Sequence, residues 1–85
     1  MAVSIDALRE HIRRLIAVGE LPRQGAIHVD TVEGSGAPCQ ACGDVVPRAD
    51  SEHRLRFIDR SWRPYTVRLH SLCRAIWEIE RRRAA

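Results

Sequence analysis

Pro38-Cys39-Gln40-Ala41-Cys42-Gly43 and, further along, Leu69-His70-Ser71-Leu72-Cys73 are the stretches on which the reading of this chain turns. Each carries a pair of soft donors separated by two residues, Cys39-x-x-Cys42 and His70-x-x-Cys73. Zinc takes four tetrahedral ligands, and a two-residue gap within a turn or at a helix start lets both side chains of a pair aim at one place. Gly43 directly follows the first pair, where a tight knuckle calls for positive φ, and Pro38 stiffens the approach to it. The expected site is therefore one Zn2+ held by Cys39, Cys42, His70 and Cys73. Four protein ligands leave no position for water or substrate, so this metal is expected to be structural rather than catalytic.

The segment between the pairs reads as a hairpin. Arg54-Leu55-Arg56-Phe57-Ile58 and Tyr65-Thr66-Val67-Arg68-Leu69 alternate with period two on either side of Asp59-Arg60-Ser61-Trp62-Arg63-Pro64, a connecting turn. Leu55 and Phe57 should share a buried face with Tyr65, Val67 and Leu69, and Pro47 to Glu52 reads as a polar loop before it. From Ser71 to about Arg83 a helix is predicted, with Leu72, Ile76 and Ile79 at helical spacing, Cys73 and Trp77 beside them, and Arg81 to Arg83 complementing the dipole at its end. The metal would tie a loop, a hairpin and this helix together.

Upstream, Ser4 can cap a helix whose apolar stripe is Ile5, Leu8, Ile12, Leu15 and Ile16, ended by Gly19 with Pro22 beyond. Ala26 to Val32 reads as a short strand, and Glu33 to Pro38 as a flexible Gly-rich break. The organisation is then residues 1–33, an N-terminal helix and strand, and residues 34–85, a zinc-binding unit, together forming one compact domain. The fold class is α+β.

The order Cys-x-x-Cys knuckle, hairpin, and helix bearing the last ligand resembles the treble-clef zinc fingers, over about residues 37–83. The ligand order Cys-Cys-His-Cys, closed by His-x-x-Cys, also looks like the first zinc site of LIM domains, although the 27 residues between Cys42 and His70 exceed the usual LIM interval. Gly36 to Gly43 together with Leu69 to Cys73 is similar to small bacterial single-zinc proteins of unassigned role. These resemblances imply a fold and a structural metal, and no activity.

Composition supports dependence on a metal. With 85 residues, and aromatics limited to Phe57, Trp62, Tyr65 and Trp77, the core must be thin, and a cross-link is the usual remedy in so small a chain. Three cysteines are an odd number, so a closed disulfide framework would strand one thiol. A thioredoxin-like dithiol at Cys39 and Cys42 would open a helix, whereas Gly43-Asp44-Val45-Val46-Pro47 does not read as one. His53 is the alternative fourth ligand if the hairpin register differs from that expected; His11, on a polar helix face, and His28, on a strand, read as solvated or hydrogen-bonded imidazoles. No run approaches the roughly 20 apolar residues of a membrane span, and no signal-peptide core is present, which points to a cytoplasmic protein without membrane contact.

No phosphate-cradling loop or nucleophile motif is present, so the chain is not expected to be an enzyme. Two binding roles remain open. Arg54, Arg56 and Arg68 would share the outward hairpin face, with Arg60, Arg63 and Trp62 in the turn, an arrangement able to hold phosphates and stack a base; Glu52 and Asp59 would neutralise part of it. A net charge of +3 is low for a dedicated nucleic-acid binder, while the N-terminal stripe must pack either on the chain's own zinc-binding unit, the commoner outcome, or on a partner protein or a second copy of the chain. The sequence therefore favours a protein-interaction adaptor, including a homodimer through the N-terminal helix, over a nucleic-acid-binding zinc finger.

Overall fold

The structure is a computed structural model and describes residues 4–83. Helix α1 (Ile5–Ala17) begins where the Ser4 hydroxyl accepts from the Ala7 amide, and Val18 and Gly19 close it by returning their amides to the last-turn carbonyls. Leu8, Ile12 and Ile16 are buried and Leu15 packs beside them, but Ile5 stays exposed. Of the two outcomes the stripe allowed, it takes packing within the chain's own core, and only Ile5 is left outside.

Three strands form one antiparallel sheet in the order β1 (His28–Glu33), β2 (Ser51–Ile58), β3 (Pro64–His70). The hairpin register pairs Leu55 with Val67 and Phe57 with Tyr65, so the expected inward face holds, except that Tyr65 lies beside the turn, stacked on Phe57 at 5.4 Å and partly exposed. Strand β2 starts at Ser51, inside the stretch expected to be loop. The reason is Glu52, which is fully buried yet has its carboxylate satisfied by Ser35 and Arg54, so a charged residue can enter the strand.

The Gly-rich stretch is a packed turn and not a flexible break. Gly34 donates to the Asp50 carbonyl and Gly36 to that of Val46, and a Cβ at Gly34 would lie 1.9 Å from the Pro47 carbonyl oxygen. Only glycine admits so close an approach of two backbones.

Helix α2 (Ser71–Arg83) follows β3 without an intervening loop. Its buried face is Cys73, Ile76, Trp77 and Glu80, while Leu72 and Ile79 face out, which corrects the expected stripe in two of its three positions. Cys73 must reach the other metal-type donors, and that requirement fixes the rotation of the helix; positions three, four and seven residues on then necessarily face inward. Trp77 sits edge-on to Phe57 and donates its indole N–H to the Pro22 carbonyl at 2.9 Å, anchoring the segment after α1. Glu80 does the same for α1 itself. Its side chain is fully buried and accepts from Arg13 at 2.8 Å and Arg9 at 3.4 Å. Among the described residues no helix is long and apolar enough to cross a membrane.

Candidate metal centre

The first pair lies in a knuckle closed by its own backbone: the Cys39 amide donates to Asp44 at 2.8 Å and the Gly43 amide to Cys39 at 2.9 Å. This tight return requires φ of +83° at Gly43, as the residue type anticipates. Pro38 and Val45 bridge the two arms. Gln40 then docks the knuckle on the sheet, its amide donating to the Arg68 carbonyl at 2.9 Å and its side-chain oxygen accepting from the Arg68 amide at 2.8 Å. That contact lies two residues before His70, so it brings the first pair to the second.

The result is a cluster of Cys39, Cys42, His70 and Cys73 whose donor atoms all lie within 4.8 Å of one another. The Nδ1 atom of His70 is 3.3 Å from Cys42 Sγ and 4.0 Å from Cys73 Sγ. Tetrahedral zinc with ordinary Zn–S and Zn–N bonds separates a sulfur and a nitrogen ligand by about 3.6 Å, so these separations bracket the required one. On the far side of the ring, Nε2–H donates to the Val45 carbonyl at 3.0 Å. A carbonyl can only accept, so this bond assigns the proton to Nε2 and leaves the Nδ1 lone pair facing the sulfurs, the outer-shell arrangement that orients a metal-ligating imidazole.

Electrostatics lead to the same conclusion. A hydrogen bond from Cys73 holds the Cys39 thiol down to about 4. Burial pushes Cys42 up, and Cys73 is pushed far above an ordinary thiol, chiefly by its bond to Cys39. Burial disfavours the charged form of His70, but hydrogen bonds with Cys39 and the Val45 carbonyl, together with the negative charge of Cys39 and Asp50, outweigh it and raise the ring. One thiolate is thus tolerated without help, and a divalent cation supplies the charge that lets all three ionise. The residues fit a metal ion.

His53 is not part of the cluster. Arg74 donates to its Nδ1 at 3.2 Å, and its Nε2–H donates to the Ser71 hydroxyl at 3.1 Å, so both ring nitrogens are engaged. Burial first, and then the Arg74 charge, hold its pKa below the ordinary value. His11 is exposed, and His28 is exposed against Asp30 at 2.9 Å.

The outward hairpin face differs from expectation. Arg54 and Arg68, opposite one another in the register, both turn to the buried Glu52 carboxylate, at 2.6 and 3.4 Å, and only Arg56 of the three is without an ion pair among the described residues. Sequence reasoning placed Glu52 as a partial neutraliser but missed its burial, and it missed Glu80 altogether. Continuing the Cys73, Ile76 and Trp77 face by one turn would have pointed to Glu80. An open groove of about 400 Å3 is lined by three of the four donors, Cys42, His70 and Cys73, together with Leu8, Leu72, Asp44 and Asp50. Comparison with known protein families, with characterised proteins and with solved structures finds no match to this chain.

Proposed function

We propose that the chain is a non-catalytic binding domain folded around one structural zinc ion, and that its partner is a nucleic acid. The observation that carries the metal reading is the single cluster of four donors within 4.8 Å, drawn from the knuckle, the last residue of β3 and the first turn of α2. Four protein ligands fill a zinc shell, so the ion acts by cross-linking and the domain by binding. The succession of knuckle, hairpin and helix supports a treble-clef-like half, preceded by α1 and β1. Three unpaired thiols at ligand distance suit a reducing compartment, the basis for placing the protein in the cytoplasm.

The order of partners favoured by the sequence reverses, because the helix stripe that suggested an adaptor is buried, whereas exposed arginines gather with Trp62 at the end of the hairpin. Elemental analysis and native mass spectrometry test the first half of the proposal: one zinc per chain is expected, lost in Cys73→Ser, and full metal retention by that variant would overturn the ligand assignment. Oligonucleotide binding at low salt tests the second half. A protein-interaction adaptor is the second reading, favoured by the apolar groove at the cluster, which exposed Leu72 lines together with Asp44 and Asp50, a lining suited to an apolar side chain with a basic neighbour. It is preferred if oligonucleotides leave the amide spectrum unchanged.

A further inference from the structure

The turn between β2 and β3 combines a rigid backbone with an uncommitted side chain. The Asp59 amide donates to the Arg63 carbonyl at 3.0 Å and the Trp62 amide to the Asp59 carbonyl at 3.0 Å, a turn completed by one residue in the left-handed region. That residue is Trp62, at φ of +63°, the only non-glycine residue with positive φ among those described. The Asp59 carboxylate accepts from the Ser61 and Arg63 amides at 2.8 and 3.0 Å, so it braces the turn from inside. Glycine would satisfy this backbone without strain; an indole there carries a conformational cost and no packing return. Trp62 is 83 % exposed, and among the described residues no ring or guanidinium lies against it, in contrast to Trp77, which is buried between Phe57 and Arg81.

The charge around it is equally uncommitted. Eight of the 14 arginines hold a carboxylate. Arg56, Arg60 and Arg63 hold none among the described residues, and all three lie at this end of the hairpin and are exposed. The one acid in the turn, Asp59, is occupied by backbone donors. We infer that the hairpin tip is a binding site for single-stranded nucleic acid, in which Trp62 stacks on an unpaired base and Arg56, Arg60 and Arg63 hold the flanking phosphates. The inference rests on the nucleic-acid reading above and narrows it to a strand type and a site. Unpaired bases offer the open π-face that a protruding indole needs, whereas in a duplex those faces are stacked.

The test uses zinc-loaded protein and an oligothymidylate of about 12 nucleotides, within the span of common single-strand sites, against a duplex of the same length. Trp62 fluorescence reports directly, since Trp77 is the only other tryptophan and is buried. Quenching on addition of the single strand, with tighter binding than to duplex, is expected. Trp62→Gly removes the ring and relieves the backbone, so it retains the fold; it should weaken single-strand binding about 5- to 150-fold, and Trp62→Phe should recover most of the loss. Each of Arg56→Gln, Arg60→Gln and Arg63→Gln should flatten the slope of log affinity against log salt by about 0.7. Equal binding of both strand types, unaffected by Trp62→Gly, would overturn the single-strand inference and leave the nucleic-acid reading standing. No binding to either at low salt would overturn both, as would binding confined to vesicles of phosphatidylserine and phosphatidylcholine, which would make the tip a membrane contact.

Discussion

Replacing Arg9 and Arg13 together by Met should destabilise the protein far more than two surface substitutions ordinarily do. Both arginines are partly exposed, but the Glu80 carboxylate they hold is fully buried, and its remaining cation, Arg83, stands 3.8 Å away on an exposed side chain. Breaking a buried ion pair from one side costs about 3–5 kcal/mol, because the other charge is left without compensation. Protonation limits the loss: neutralising a glutamate of ordinary pKa at pH 7 costs about 3.7 kcal/mol, so the charge penalty settles near the lower end of that range, about 3 kcal/mol. For a domain of this size that lowers Tm by roughly 12–24 °C. Adding Glu80→Met to the double variant should bring stability back to within about 1 kcal/mol of wild type, since no buried charge is then left unpaired. The pH dependence of the Glu80 contribution should also change sign. In the wild type, burial pushes Glu80 up but the Arg13 and Arg9 contacts outweigh it and hold the group below the ordinary range, so its contribution is present above the unfolded pKa and falls away in acid. In the double variant the folded pKa is raised, so the contribution of this group changes sign and the deficit relative to wild type should shrink as pH falls from neutrality. Urea titrations at a fixed excess of zinc measure all three chains, with the metal held constant because it stabilises by mass action. A double variant within 1 kcal/mol of wild type, or a triple variant no more stable than the double, would refute the reasoning.

Chelation should remove hydrogen-exchange protection from α2 and the end of β3, since a structural zinc contributes an apparent ~10–16 kcal/mol; unchanged protection in α2 would speak against the cross-link. His70→Ala should weaken metal retention while His53→Ala keeps it, which elemental analysis will resolve. Gly34→Ala should cost at least about 2 kcal/mol in urea unfolding, because two backbones must part to admit the methyl group; a neutral result would mean the turn is far more compliant than its hydrogen bonds suggest. Burial pushes Glu52 up, but the Ser35 hydroxyl and Arg54 prevail and hold it down to about 2. The stability advantage of wild type over Glu52→Gln should therefore be complete above about pH 5 and decline as pH falls toward 2, and an advantage that grows in acid would contradict this ion-pair account.

Elements whose signal is local were legible in the sequence: the Ser4 cap, the alternation on both hairpin strands, and the two donor pairs whose spacing the folded chain brings to one point. What was not legible depended on long-range partners. The phase of α2 is set by Cys73 meeting ligands more than 30 residues earlier, so Leu72 and Ile79, apolar by composition, lose the inward face to Glu80. Likewise Arg54 and Arg68 alternate correctly for a solvated face, yet the buried carboxylate between them is created only when Ser35 folds over the strand. The Gly-rich stretch misled for a related reason, since glycine marks both a loose linker and a close backbone approach, and only the opposing Pro47 carbonyl tells them apart.

The distribution of the four donors along the chain also imposes an order in time. Cys73 is added 34 residues after Cys39, an interval of roughly 2–7 s at ordinary rates of translation. For those seconds the knuckle is an incomplete chelator with two thiols, while a hairpin such as β2–β3 closes within about 10 μs once its strands are free. Because β3 ends only three residues before Cys73, hairpin and last donor are completed almost together, and in the reading proposed above the metal would be the last fastener of the assembly.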